Sequence, residues 1–170
     1  MDKSNTYHTY MVNETAKLLR DAGFVVKKEH RLWYMDQGRR VDVVGYSDRE
    51  IYCFEIKTYM DDVYAKTGHN FVGNYNYFVV TDDMVQQTLK YINTSEIYQY
   101  VGLYAFQDGC FECMKEPIRV PINQGVFKDI YWKILLGDVN KSDASKGLGI
   151  SRKTLDRWIK DYEDLKNTRG

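Results

Sequence analysis

Cysteine is scarce in this chain: three residues, Cys53, Cys110 and Cys113, among 170. That number is too small and of the wrong parity for a disulfide framework, and it fits a reducing compartment. Proline is scarcer still, at two residues. Net charge is absent, with 24 basic residues against 24 acidic ones, which excludes both a polycation and an acidic disordered chain. No run approaches the ~20 apolar residues that span a bilayer, so no membrane association is expected. The first residues, MDKSNTYHTY, hold no apolar core of the signal-peptide kind, and a cytoplasmic location is expected. There is no G-x-x-x-x-G-K-[ST] loop either, so an ATP-driven motor is not expected.

With 44% hydrophobic and 15% aromatic residues, the chain has enough to bury one sizeable core plus a small appendage. Met11, Val12, Thr15, Leu18, Leu19 and Ala22 recur at helical spacing over residues 8–22, and Gly23 is placed to end that helix. Strand-like patterns follow at 24–34, 39–46 and 50–58, the last two separated by Ser47, Asp48 and Arg49; together they read as a three-stranded meander. Residues 59–73 read as a loop with a short helix. A strand at 75–81, a helix at 83–92 begun by Asp82 or Asp83, and a strand near 99–106 come next, with a hairpin around Asp108 and Gly109. The order predicts a mixed α/β sheet.

From Val126 onward the pattern is helical, which puts a domain boundary near 122–125 and divides the chain into 1–122 and 125–170. Between Val139 and Gly170 eight basic residues stand against five acidic ones. The tail is therefore +3 and the remainder −3.

Side chains alternate across a strand, so in RRVDVVGY Arg40, Asp42 and Val44 share one face, and in EIYCFEIKT Cys53, Glu55 and Lys57 do. A turn symmetric about Asp48 and Arg49 makes cross-strand partners sum to 97, setting Asp42 opposite Glu55. Like charges so opposed destabilise a sheet. A divalent cation relieves the repulsion, since Mg²⁺ is commonly held by one or two carboxylates with water and phosphate completing its shell. Lys57 reaches the same point, and a cation-activated water beside a lysine suits hydrolysis of a phosphodiester. The bland alternative is an exposed face on which the two acids are tied by ion pairs to Arg40 and Lys57.

Asp42 followed by Glu55-Ile56-Lys57 on adjacent strands, after an N-terminal helix and a strand, resembles the PD-(D/E)XK nuclease superfamily of restriction-endonuclease-like folds, over roughly residues 8–106. The resemblance implies a Mg²⁺- or Mn²⁺-dependent DNA endonuclease, leaving 5′-phosphate and 3′-hydroxyl ends. It implies Asp42, Glu55 and the Ile56 carbonyl as metal ligands and Lys57 as the catalytic lysine. Many members add a glutamate from the first helix, for which Glu14 is the best match and Glu29 the second. Val41 stands where the motif's proline would be. The segment GHNFVGNYNYFVV, residues 68–80, is similar to nuclease-like proteins of phages, with no role attached to His69 or Asn70.

In the tail, ASKGLGISRKTLDRWIKDY, residues 144–162, resembles a helix-turn-helix. Gly149 suits the turn and Ser151 the N-cap. Leu148, Ile150, Leu155, Trp158 and Ile159 supply apolar positions, and a helix over Val126 to Leu136 would complete a three-helix core. Arg152, Lys153, Asp156, Arg157 and Lys160 face outward on the second helix, which in such units lies in the major groove of DNA. Gly147 departs from the pattern, costing ~1 kcal/mol relative to alanine. Two rivals to a DNA-cutting enzyme stay open, a non-catalytic DNA-binding regulator and an adaptor docking a protein partner through its tail; for the tail helices themselves the alternative to DNA binding is a dimerisation or protein-docking unit, which would make a homodimer. Cys110-x-x-Cys113 is half a zinc site without a partner pair. His8, His30 and His69 have no metal-binding spacing and read as structural or surface residues. Tyr75 and Tyr77 read as the margin of a core.

Overall fold

The structure is a computed structural model that describes residues 3–31, 39–47, 50–65, 69–120, 134–148 and 151–168. Helix α1 spans Lys3–Asp21, beginning a turn and more before the expected start. It ends where Gly23 takes φ +92°. The Gly23 amide donates to the Arg20 carbonyl and the Phe24 amide to that of Leu19, both at 3.0 Å, a Schellman close that needs a left-handed residue at this position.

Six strands then lie side by side in chain order: β1 (Val25–His30), β2 (Val41–Tyr46), β3 (Ile51–Lys57), β4 (Tyr75–Thr81), β5 (Gly102–Gln107) and β6 (Cys110–Lys115). β1–β2, β2–β3 and β5–β6 pair antiparallel, while β3–β4 and β4–β5 pair parallel. The expected meander is thus β1–β3, and the mixed α/β sheet stands. The parallel pairings need crossovers, supplied by the short helix α2 (Met60–Tyr64) and by α3 (Val85–Thr94). Asp82 and Asp83 form a 3₁₀ turn leading into α3 rather than its first residues. The hairpin after β5 turns through Asp108 (φ 51°) and Gly109 (φ 79°), the two successive positive angles of a type I′ turn.

Each face of the sheet buries its own core. Met11, Val12, Ala16 and Leu19 of α1 cover Val43, Phe54, Ile56, Tyr77, Val79 and Phe106. Val63 of α2 and Val85 and Ile92 of α3 cover Phe78, Val80, Leu103 and Ala105 on the other face. Phe54 and Tyr77 lie flat on one another across the parallel pair, centroids 4.7 Å apart and planes 2° apart. Such a contact is worth about 0.5–1.5 kcal/mol beyond the area it buries. Residues 116–120 tie down the far end of the sheet: the Ile118 amide donates to Tyr100 O and the Val120 amide to Asn74 O, each at 2.9 Å.

Helix α4 (Lys141–Leu148) and helix α5 (Arg152–Thr168) follow. Ser151 caps α5, its Oγ accepting the Thr154 amide at 3.1 Å. Ala144 and Leu155 are fully buried against each other's neighbours Ile134, Val139 and Ile159. The expected boundary at 122–125, most of the expected helix over 126–136, Gly149, Ile150 and the Leu148 and Trp158 side chains lie outside what is described. No helix among the described residues is long and apolar enough to cross a membrane.

Candidate active site

The site is built where β2 and β3 part. Val43 pairs with Phe54, Val44 with Cys53, Gly45 with Tyr52 and Tyr46 with Ile51, and one more step of that register sets Asp42 opposite Glu55. On the other side, Lys28 pairs with Val43 and His30 with Val41, which brackets Glu29 opposite Asp42. Three acids therefore occupy one row across three strands. Glu29 itself is skipped by the ladder and held at φ +47°, a backbone region that glutamate seldom adopts.

Beyond the Val43–Phe54 pair a continued ladder would give the Ile56 amide to Val41. Asp42 takes it instead, accepting at 2.8 Å through Oδ2. The same oxygen lies 3.6 Å from Nε2 of His8 on α1. That close contact is the leading cause of a His8 pKa raised above its ordinary value; burial opposes it, and the charges of Asp42 and Glu29 and the Ile56 carbonyl reinforce it.

Glu55 is buried, with 2% of its surface exposed. Its Oε1 accepts the Asn70 amide at 3.3 Å, and its Oε2 lies 3.8 Å from Lys57 Nζ. Burial pushes its pKa well up, Asp42's charge pushes it further, and Lys57 works against both. The exposed face is thereby corrected, while its Glu55–Lys57 ion pair is present. The Asp42 side chain is 15% exposed, that of Glu55 3%, and among the described residues Arg40 makes no ion pair with either.

Asn70, left without a role by the sequence, is a keystone here. Its amide holds Glu55, and its buried side chain donates to the Arg40 carbonyl at 2.8 Å. His69 turns the other way, with Nε2 2.9 Å from Val63 O and its ring against Phe71 and Phe78. His8, read as structural or surface, is the residue α1 brings to Asp42. Glu14 is not: it stands six residues on, roughly 9 Å farther along the axis and about 240° round it. It shares a face with Leu18, which is exposed. The signal for His8 was present in the spacing, since residues 8, 11, 12 and 15 share one helical face with the apolar positions.

The Asp42 and Glu55 carboxylates and the Ile56 carbonyl are hard oxygen donors, the set Mg²⁺ prefers, and the charge crowded onto buried Glu55 suits a dication. Among the described residues no group of three His, Cys, Asp or Glu side chains is placed to hold a metal. Such an ion would take the rest of its shell from backbone, water and substrate. An open hollow against Asp82, Ala105, Gln107 and Glu112 lies on the β5–β6 side and includes none of these residues.

In the tail, Arg152, Lys153 and Lys160 are exposed and Arg157 half-buried. Asp156 is exposed too, and its Oδ1 is paired with Lys141 Nζ at 2.7 Å, an ion pair between α5 and α4.

No family model matches the chain, and no curated protein matches it in sequence. Among solved structures it is similar to the SPO1766 protein of unknown function from Silicibacter pomeroyi, with a TM-score of 0.51 and 20% identity over 78% of this chain and 86% of that one. A weaker likeness, with a TM-score of 0.40 and 14% identity, links 93% of this chain to 97% of AF1548, also a protein of unknown function. At these identities the first likeness speaks for the fold alone: a mixed α/β protein with a six-stranded open sheet.

Proposed function

We propose that the protein is a divalent-cation-dependent endonuclease of restriction-endonuclease-like type that hydrolyses phosphodiester bonds in DNA, with duplex held by a C-terminal helix-turn-helix. The observation that carries this reading is the juxtaposition of Asp42 and buried Glu55, with Lys57 3.8 Å from the latter. The order helix, meander, helix, strand agrees with the superfamily resemblance. A Mg²⁺ or Mn²⁺ ion held by Asp42, Glu55 and the Ile56 carbonyl would supply Lewis acidity and a water of lowered pKa.

The chain's own residues do the rest. His8 and the Ile56 amide fix the Asp42 carboxylate from two directions. Asn70 fixes Glu55. Lys57 is a cation on the same face, able to donate to a non-bridging phosphate oxygen and to stabilise the negative charge that builds on the phosphoryl oxygens in the transition state. The Ser151 cap and the Ala144–Leu155 contact support a rigid α4–α5 pair. From α5, Arg152, Lys153, Arg157 and Lys160 supply cations to the DNA backbone.

Purified protein incubated with duplex, branched and single-stranded DNA in Mg²⁺ or Mn²⁺ is expected to cut at least one substrate, and Asp42→Ala and Lys57→Ala to abolish cutting. Parent and variants behaving identically would instead support the non-catalytic regulator. Removing residues 139–170 is expected to weaken duplex binding far more than metal affinity.

A further inference from the structure

The end of the sheet that holds the carboxylates carries charge of opposite sign on its two sides. Arg31 leaves β1, and Arg39 and Arg40 lead into β2; all three are exposed. Across the sheet, Asp82 and Asp83 leave β4, and Asp108 and Glu112 belong to the β5–β6 hairpin; all four are exposed as well. Glu29 at the end of β1 is the exposed acid on the first side, against three arginines, so a polyanion approaching this end meets net attraction over β1–β2 and repulsion over β4–β6. The net charge of −3 on residues 1–138 conceals that polarity.

Two further observations make the basic side more than a solvated rim. Among the described residues, none of the three guanidinium groups forms an ion pair with a carboxylate within 4.0 Å, although Arg119, Lys141 and the site's Lys57 do, and Arg40 acts on Glu29 only through its longer-range charge. Arg40 is also anchored. Its carbonyl accepts from Asn70 Nδ2 at 2.8 Å, and Asn70's own amide holds Glu55. One buried residue thus sets both an acid of the site and the arginine two positions before Asp42. A planar guanidinium matches a phosphate with two parallel hydrogen bonds, which a lysine cannot do.

We propose that Arg31, Arg39 and Arg40 form a phosphate track along the β1–β2 side, which seats the nucleic-acid strand entering the site and binds it independently of the helical tail. The identity of the ligand rests on the nuclease reading, and the residues and the direction of entry are additional to it. Repulsion from Asp82, Asp83, Asp108 and Glu112 sets the strand's path away from the β4–β6 side.

The test measures binding of labelled duplex and single-stranded DNA as a function of salt, using full-length protein carrying Lys57→Ala to prevent turnover. Each phosphate contact contributes about 0.9 to the slope of log K against log salt on duplex and about 0.7 on single strands. Arg31→Gln/Arg39→Gln/Arg40→Gln is expected to flatten the slope by roughly two to three on duplex, with an unchanged melting temperature. Should the triple variant fold poorly, Arg39→Gln and Arg40→Gln singly are each expected to flatten it by about 0.9. A slope equal to that of the Lys57→Ala parent overturns the track. Flattening, together with no cutting by the Lys57-intact protein in either metal, upholds the track and overturns the nuclease reading. Cutting with an unaltered slope does the reverse, and no binding by the parent removes both.

Discussion

Asp42 and Ile56 are joined at 2.8 Å by a hydrogen bond from a backbone amide of one strand to a side chain of the next. An acid that closes a ladder in this way has a structural duty separable from any duty toward a metal. Asp42→Asn keeps an amide oxygen for the Ile56 N–H and removes only the charge; Asp42→Ala leaves that N–H without its acceptor. The alanine variant is therefore expected to lose about 1–3 kcal/mol, roughly 2–12 °C in melting temperature at this chain length, and the asparagine variant much less. Both are expected to lose the rise in melting temperature that Mg²⁺ or Mn²⁺ gives the parent. An asparagine variant stabilised by metal as strongly as the parent would remove Asp42 from the ligand set.

Glu55 has a folded-state pKa above its unfolded one because burial and Asp42 disfavour its charge. Such a group contributes stability that is fully present below the unfolded pKa, near 4.3, and is lost as pH rises toward the folded value. In metal-free buffer Glu55→Gln is expected to melt at a higher temperature than the parent at pH 8, with the gap closing toward pH 4. Adding Mg²⁺ or Mn²⁺ is expected to reverse the order at pH 8, since only the carboxylate gains a cation. Melting curves at the two pH values, with and without metal, decide it; a glutamine variant less stable than the parent at pH 8 without metal would contradict the strained carboxylate.

Much of this pair was legible beforehand, and the reason is local. Strand alternation has a period of two and a short symmetric turn fixes register, so Asp48 and Arg49 at the centre of the hairpin already imply the Val43–Phe54 pairing that the structure contains. The Asp108–Gly109 turn is legible in the same way, from residues that accept positive φ. His8 and Asn70 are different. His8 meets Asp42 only because α1 crosses the sheet at one angle, and Asn70 meets Glu55 only through a contact fifteen residues apart in the chain. The helical spacing puts His8 on the sheet-facing side of α1, but neither its partner nor that of Asn70 is written in a periodic pattern. Asp156 shows a related limit of periodicity: its exposure on α5 follows the helical pattern, but its Lys141 partner sits on another helix.

His8 has a raised pKa, led by its contact with Asp42. A histidine of this kind stabilises the fold below its unfolded pKa, near 6.5, and the contribution fades as pH rises through the folded value. His8→Ala is thus expected to cost more at pH 5.5 than at pH 8.5, the difference being under about 1 kcal/mol for a partly exposed pair. If the loss in melting temperature is the same at both pH values, the histidine acts through packing alone.

Asn70 offers the sharpest separation between holding and charging the site. Asn70→Ala keeps the backbone N–H that Glu55 accepts but strips the donor from the Arg40 carbonyl, an expected cost of about 1–2 kcal/mol that does not depend on pH. Asn70→Asp does more: once ionised it has no proton for that carbonyl, and it adds a negative charge beside a carboxylate already crowded by Asp42. Its own pKa is then raised in the folded state, so its penalty is small near pH 4 and grows as pH rises. The two variants are expected to diverge with pH, aspartate falling below alanine by pH 8. Added Mn²⁺ is expected to narrow that gap by offsetting the new charge. Parallel pH profiles for the two variants would mean that Asn70 does not share a field with Glu55, and that the loop bearing it is a scaffold for Arg40 only.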